Sequence, residues 1–119
     1  MILHLDTHIL VWLYAGDPER FSLKARAAVE HAHLVYTPIA VDAEDIIAYL
    51  ETRIGLARDE AAYSPVVKES CGISWTRDPF DRLIAGAALV SQHPLLTRDP
   101  EMRRNCHLAF WDHCDTSEN

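Results

Sequence analysis

The stretch Trp75-Thr76-Arg77-Asp78-Pro79-Phe80-Asp81-Arg82-Leu83-Ile84-Ala85-Gly86-Ala87-Ala88-Leu89 decides how the chain folds. Asp78 followed by Pro79 is a helix start. An Asp side chain can accept from the unpaired N–H groups of a first turn, and proline is pre-organised for the first helical position. Asp81 then falls at the third helical position. Beyond it Leu83, Ile84, Ala87, Ala88 and Val90 form a broad apolar face, and Gly86 with its flanking alanines allows close packing. One carboxylate is therefore fixed at the start of a helix whose body is buried. Asp78 serves the cap, which leaves Asp81 to cap as well or to hold a metal.

Downstream, Pro94 to Thr97 reads as a strand, Asp99-Pro100 starts a short helix ending near Arg104, and Cys106 to Trp111 reads as a last strand. Upstream, Ile73 to Trp75 reads as a short extended segment. Ser64-Pro65 is a helix start with Val66, Val67 and Cys71 on its buried side. Leu56 to Ala62 has no clear pattern. From Asp42 to Arg53 a helix is predicted, with Ile46, Ile47, Leu50 and Ile54 at helical spacing and Gly55 as its stop. His33 to Tyr36 is a strand closed by Thr37-Pro38. Ser22 caps a helix over Leu23 to His31 that turns Ala25, Ala28 and Val29 inward. Met1 to Leu5 is a buried strand ending at Asp6-Thr7, and His8 to Ala15 is a helix broken by Gly16-Asp17-Pro18. Strands alternating with helices imply an α/β fold, a mostly parallel sheet with helices on both faces. The expected organisation is one domain over 1–111 and a polar, disordered tail over 112–119.

Composition narrows the function. The chain has 119 residues, 49% of them hydrophobic, enough for a real core. Its 11 basic and 18 acidic residues give a net charge of −7, which argues against coating nucleic acid through overall positive charge. A carboxylate cluster that binds a cation stays compatible with that charge. Three cysteines, Cys71, Cys106 and Cys114, form no Cys-x-x-Cys pair, so a reducing cytoplasm is expected rather than a disulfide framework. Cys106-His107 and His113-Cys114 match no standard zinc spacing. No signal peptide and no membrane span are expected.

Three acids share one context. Asp6 ends the first strand, Asp81 begins the quoted helix, and Asp99 follows the Pro94–Thr97 strand. Ligands of open α/β sheets bind outside the carboxyl ends of the strands, so the three should gather on one edge. An Asp before a helix is ordinarily an N-cap worth about 1 kcal/mol, and Asp99 alone would read that way. Three converging carboxylates repel one another and call for a cation between them. Oxygen-only ligands suit Mg²⁺ or Mn²⁺, and phosphodiester hydrolysis is the chemistry such a site supports.

Leu5-Asp6-Thr7-His8-Ile9-Leu10, Asp78-Pro79-Phe80-Asp81-Arg82-Leu83-Ile84-Ala85 and Leu96-Thr97-Arg98-Asp99 resemble, in order, the three signature blocks of PIN-domain ribonucleases, in particular the VapC-like toxins of type II toxin–antitoxin pairs. Phe21 to Arg26 resembles their second helix, and the likeness runs from Met1 to Trp111. It implies a PIN-like three-layer fold with Asp6, Asp81 and Asp99 as catalytic, metal-binding acids for Mg²⁺ or Mn²⁺. Thr7 and Thr97 would orient a carboxylate or a water. The resemblance further implies an RNA substrate, a homodimer, and a small antitoxin that inserts a segment into the acidic cleft.

The chain departs from the pattern at one point. The family carries a fourth acid, a Glu on the helix after the second strand, in a block such as Ser-Pro-x-x-x-x-Glu. Thr37-Pro38 matches the start of that block, but ungapped counting puts Ala43 at the Glu position. Glu44 lies one residue late, about 100° around a helix. Asp42 and Asp45 are further substitutes. Alternatively Ala43 to Leu56 corresponds to the following helix, and the Glu-bearing helix is deleted. Deletion would expose apolar surface or leave it to a partner, and would weaken or abolish nuclease activity, leaving a binding or regulatory module.

Arg82 and Arg98 flank two of the acids and could hold RNA phosphate through bidentate hydrogen bonds, or merely balance the carboxylates. Arg77, Arg103 and Arg104 could extend such a track. His8 reads as a capping or surface residue. Trp12, Trp75 and Trp111 could stack bases, although Trp12 and Trp111 read first as packing residues. A receiver-like phosphate acceptor would want a late-strand Lys where Arg98 stands. A dehalogenase-like enzyme would want Asp-x-Asp where His8 stands.

Overall fold

The computed structural model describes residues 1–38 and 43–111. Asp42 and the 112–119 tail, with Cys114, lie outside the described residues. In chain order the elements are β1 (Ile2–Leu5), α1 (Thr7–Ala15), a 3₁₀ turn (Pro18–Arg20), α2 (Leu23–His31) and β2 (His33–Tyr36). There follow α3 (Glu44–Ile54), β3 (Ala57–Arg58), α4 (Tyr63–Cys71), α5 (Pro79–Ser91), β4 (Leu95–Leu96), α6 (Pro100–Asn105) and β5 (Ala109–Phe110).

The five strands form one sheet in the order β3-β2-β1-β4-β5, and every neighbouring pair is parallel. Side chains alternate across the sheet with a period of two. Leu3 and Leu5 of β1, Leu34 and Tyr36 of β2 and Leu96 of β4 share a core with Ile9 and Leu10 of α1, Ala25 of α2, and Ile47 and Leu50 of α3. On the opposite face Leu95 packs with Ile84 and Ala88 of α5, Met102 of α6 and Cys106. A Cβ added to Gly86 of α5 would lie 3.0 Å from the Val66 carbonyl oxygen of α4, so α4 packs directly on α5. Helices thus cover both faces, as a buried parallel sheet requires. Among the described residues no helix is long and apolar enough to cross a membrane.

Three side-chain caps are those the sequence indicates. Ser22 accepts from the Ala25 N–H, Asp78 from Phe80 and Asp99 from Glu101. Gly16 and Gly55 close α1 and α3 at φ 69° and 72°, the left-handed region glycine enters freely. Four expectations are corrected. α4 begins at Tyr63 with Ala62 at its cap rather than at Ser64-Pro65, and Val67 and Cys71 are exposed while Val66 and Ser70 are buried. Ile73 to Trp75 forms no strand. The last strand shrinks to Ala109–Phe110, because the Ala109 N–H turns back to the Cys106 carbonyl. The patternless Leu56–Ala62 stretch contains β3, whose two side chains are exposed, so backbone pairing with Val35 and Tyr36 leaves no apolar alternation to read.

Candidate active site

β1 is the centre from which the chain winds outward in both directions, to β2 and β3 on one side and to β4 and β5 on the other. The crevice between the carboxyl ends of β1 and β4 is therefore the topological switch point, where ligands of open α/β sheets bind. Asp6 leaves β1 there, its N–H donating to the Leu96 carbonyl of β4 at 3.1 Å. Thr97 and Asp99 leave β4. The start of α5 brings Asp78 and Asp81 to the same place. The result is a cavity of about 440 Å³ whose wall carries Asp6, Asp78, Asp81 and Asp99, together with His8, Trp12 and Arg98.

Asp6 is 4% exposed and both its oxygens are engaged. Oδ1 accepts from the Thr7 backbone N–H at 2.7 Å, and Oδ2 accepts from the Thr97 hydroxyl at 2.7 Å. That hydroxyl also accepts from the Asp99 N–H at 3.1 Å, so one fully buried Thr97 ties the first acid to the last. Thr7 acts through its backbone. Asp99 caps α6 with one oxygen, which leaves the other for the cavity.

The electrostatics follow from burying like charges together. Desolvation raises the Asp6 carboxyl above its usual range, and Asp99 adds to the rise. The hydrogen bonds from Thr97 and Thr7 and the nearby His8 oppose it. Asp81 is pushed up to about 6, by burial first and then by the charges of Asp78, Asp6 and Asp99, with His8 opposing. The three acids read from the sequence thus sense one another across one cavity.

The remaining residues sort clearly. Glu44 and Asp45 are exposed in the first turn of α3 and do not line this cavity. Asp42 falls outside the described residues. Arg82 turns its Nε–H to the Thr76 carbonyl at 2.7 Å, holding the loop before α5. Arg98 lies over the Trp12 indole, 6.0 Å from its centroid. Asp78 caps α5 and also faces the cavity, and His8 and Trp12, four residues apart on α1, face it together. The i, i+4 spacing of His8 and Trp12 was the available signal.

Among the described residues no three His, Cys, Asp or Glu side chains stand close enough to hold a metal ion between them. Mg²⁺ is ordinarily bound through one or two carboxylates with several waters retained. The donor set here is oxygen-only, repulsive and partly desolvated, and it fits a largely hydrated Mg²⁺ or Mn²⁺ rather than a tight all-protein cage.

No protein-family model matches the chain, and no curated protein matches it. Among solved structures, a chain of the crystal structure of VapBC2 from Rickettsia felis bound to a DNA fragment from their promoter is similar, with a TM-score of 0.61 and 17% sequence identity. The match covers 94% of this chain and 100% of that one. At that identity the likeness is one of fold alone, a PIN-like α/β architecture with a central parallel sheet covered by helices.

Proposed function

We propose that the protein is a PIN-type endoribonuclease, dependent on Mg²⁺ or Mn²⁺, that hydrolyses RNA phosphodiester bonds. The observation that carries this reading is the convergence of Asp6, Asp81 and Asp99 on one cavity at the switch point, close enough for the charges of Asp6 and Asp99 to raise the Asp81 carboxyl. Carboxylates that repel in this way gain most from a bound cation. When bound, the cation supplies Lewis acidity toward water and the phosphodiester. One or two of Asp6, Asp81 and Asp99 would hold it directly, with retained waters reaching the remainder. Thr97 fixes Asp6 and Asp99 relative to one another, which keeps the carboxylates from collapsing onto other partners. Arg98 is the cationic side chain on the cavity wall suited to an RNA phosphate. A small antitoxin protein and a second copy of the chain are the proposed partners, and the cytoplasm the proposed compartment.

A second reading has its own observation. Glu44 stands outside the cavity, so the wall lacks the fourth acid of the PIN pattern among the described residues. On this reading the protein is a PIN fold that binds a partner and cleaves poorly or not at all.

Incubating the purified chain with structured RNA and Mg²⁺ or Mn²⁺ separates the two. The nuclease reading expects cleavage that EDTA, Asp6→Asn and Asp81→Asn each abolish. Cleavage that survives Asp6→Asn rejects the site. A folded protein that binds its partner and cleaves nothing supports the second reading.

A further inference from the structure

The acidic cavity is lined by two unlike sets of side chains. Four are carboxylates. Trp12 and Arg98 are the other set, the Arg98 guanidinium lying over the indole 6.0 Å from its centroid. Trp12 is partly exposed and Arg98 is exposed. Trp12 is held by Phe21 and Trp111, whose rings meet it at 84° and 74°. His8 approaches at 42°. None of these rings lies parallel on the indole. Packing therefore seats Trp12 with no ring flat on its face; what lies over the indole are the exposed guanidiniums of Arg98 and of Arg20, the latter 5.7 Å from the centroid and paired with Asp17, and such solvent-exposed side chains can give way to a base. An indole face offers stacking to any nucleobase, and an adjacent arginine adds a second planar, cationic surface. The cavity also gains from such an element: without a bound cation, a wall with four carboxylates repels phosphate, so affinity for a polyanion draws on apolar stacking and on Arg98.

We propose that Trp12, flanked by Arg98, is a base-stacking residue that seats one unpaired nucleobase of single-stranded RNA beside the carboxylates. This rests on the nuclease reading above for the identity of the polymer. It makes Trp12 a positioning residue: seating the base sets which phosphate reaches the acids, and it requires the strand to be unpaired there, since a paired base offers no free face.

Binding is measured by fluorescence anisotropy with labelled oligoribonucleotides, on full-length protein carrying Asp81→Asn so that cleavage does not consume the probe. The probes are a single strand, the same strand with one abasic position moved along it, and a duplex. The single strand is expected to bind better than the duplex, and one abasic position should weaken it by about 5- to 100-fold. Trp12→Ala should cause a similar loss, and Trp12→Phe a smaller one. In the Trp12→Ala protein that abasic position should cost nothing further. Trp12→Phe keeps a ring for Phe21 and Trp111 and serves as the folded control. An abasic penalty that persists undiminished in Trp12→Ala overturns the proposal, as does unchanged binding of the single strand by that variant. Base-dependent binding with no metal-dependent cleavage by the unsubstituted chain defeats the nuclease reading alone. Cleavage insensitive to abasic positions and to Trp12→Ala defeats the stacking proposal alone. A protein that binds no oligoribonucleotide defeats both.

Discussion

At the residue scale, Asp81 shows how one carboxylate links site and stability. An ordinary Asp titrates near 4, and in this fold Asp81 is held at about 6 by burial and by Asp78, Asp6 and Asp99. Between about pH 4 and pH 6 the folded state therefore binds more protons than the unfolded chain. The sign is that of a raised folded pKa: the relative stabilisation is complete below about pH 4 and is lost as pH rises through about 6. Above that the folded protein carries an unfavourable charge. Asp81→Asn removes the charge and keeps the shape. Urea unfolding in EDTA should find Asp81→Asn more stable than the parent at pH 7.5, with the difference fading by pH 4.5. A pH-independent difference would mean that Asp81 is not under electrostatic stress. Asp6, Asp81 and Asp99 were legible in the sequence because each follows a strand or opens a helix. The double duty of Asp78 was not, and for Trp12 the sequence offered both packing and stacking without deciding between them. A cap signal explains Asp78 fully until α5 is placed, and Trp12 satisfies the apolar pattern of α1 whether or not one side of it meets solvent.

At the scale of elements, the α4–α5 contact is the tightest test of packing. A methyl on Gly86 would lie 3.0 Å from the Val66 carbonyl oxygen and 3.3 Å from the Ser70 backbone nitrogen. Both are backbone atoms, so no side-chain rotation relieves the clash. Gly→Ala in a helix interior ordinarily stabilises by about 1 kcal/mol, while overpacking costs about 1–3 kcal/mol. Because the neighbours are backbone, overpacking should win, and Gly86→Ala is expected to lower stability by about 1–2 kcal/mol in thermal or urea unfolding. A neutral or higher melting temperature would show that α4 can shift away. The helices were readable from caps, glycine stops and apolar spacing, and α2 and β2 fall where the sequence puts them, at Leu23–His31 and His33–Tyr36. Strand ends were harder to read. β3, β4 and β5 are two residues each, below the length at which alternation carries information, and they exist because a neighbouring strand supplies hydrogen-bond partners. His4 illustrates the same limit. It sits in an apolar strand pattern but is 1% exposed, stacked on His93 at 6.0 Å and 4.0 Å from Asp59, with burial lowering its pKa. Nothing local in the sequence announces those distant partners.

At the scale of the molecule, the site exists only through long-range closure. Asp6 and Thr97 are 91 positions apart and meet through a 2.7 Å hydrogen bond, and Ser22 donates to the Trp111 carbonyl at 2.8 Å, joining α2 to the end of the described chain. The acids are thus a product of the whole fold, and the unfolded chain has no equivalent site. A cation that binds the folded protein must then stabilise it, by about 2.7 kcal/mol at a concentration 100 times its dissociation constant. For a domain of this size that is a rise in melting temperature on the order of 10 °C. Protons compete for the same oxygens, so the rise should be large at pH 7.5 and small at pH 5, below the value near 6 held by Asp81. Differential scanning calorimetry with Mg²⁺, Mn²⁺ and EDTA at both pH values measures it. Thr97→Val should weaken the effect about 10- to 100-fold in apparent affinity, because it frees Asp6 from the partner that orients it. A cation effect equal at both pH values, or undiminished in Asp81→Asn, would place cation binding elsewhere on this acidic surface. The test needs no RNA and no partner, so it reports on the site whether or not the chain still cleaves with Glu44 outside the cavity.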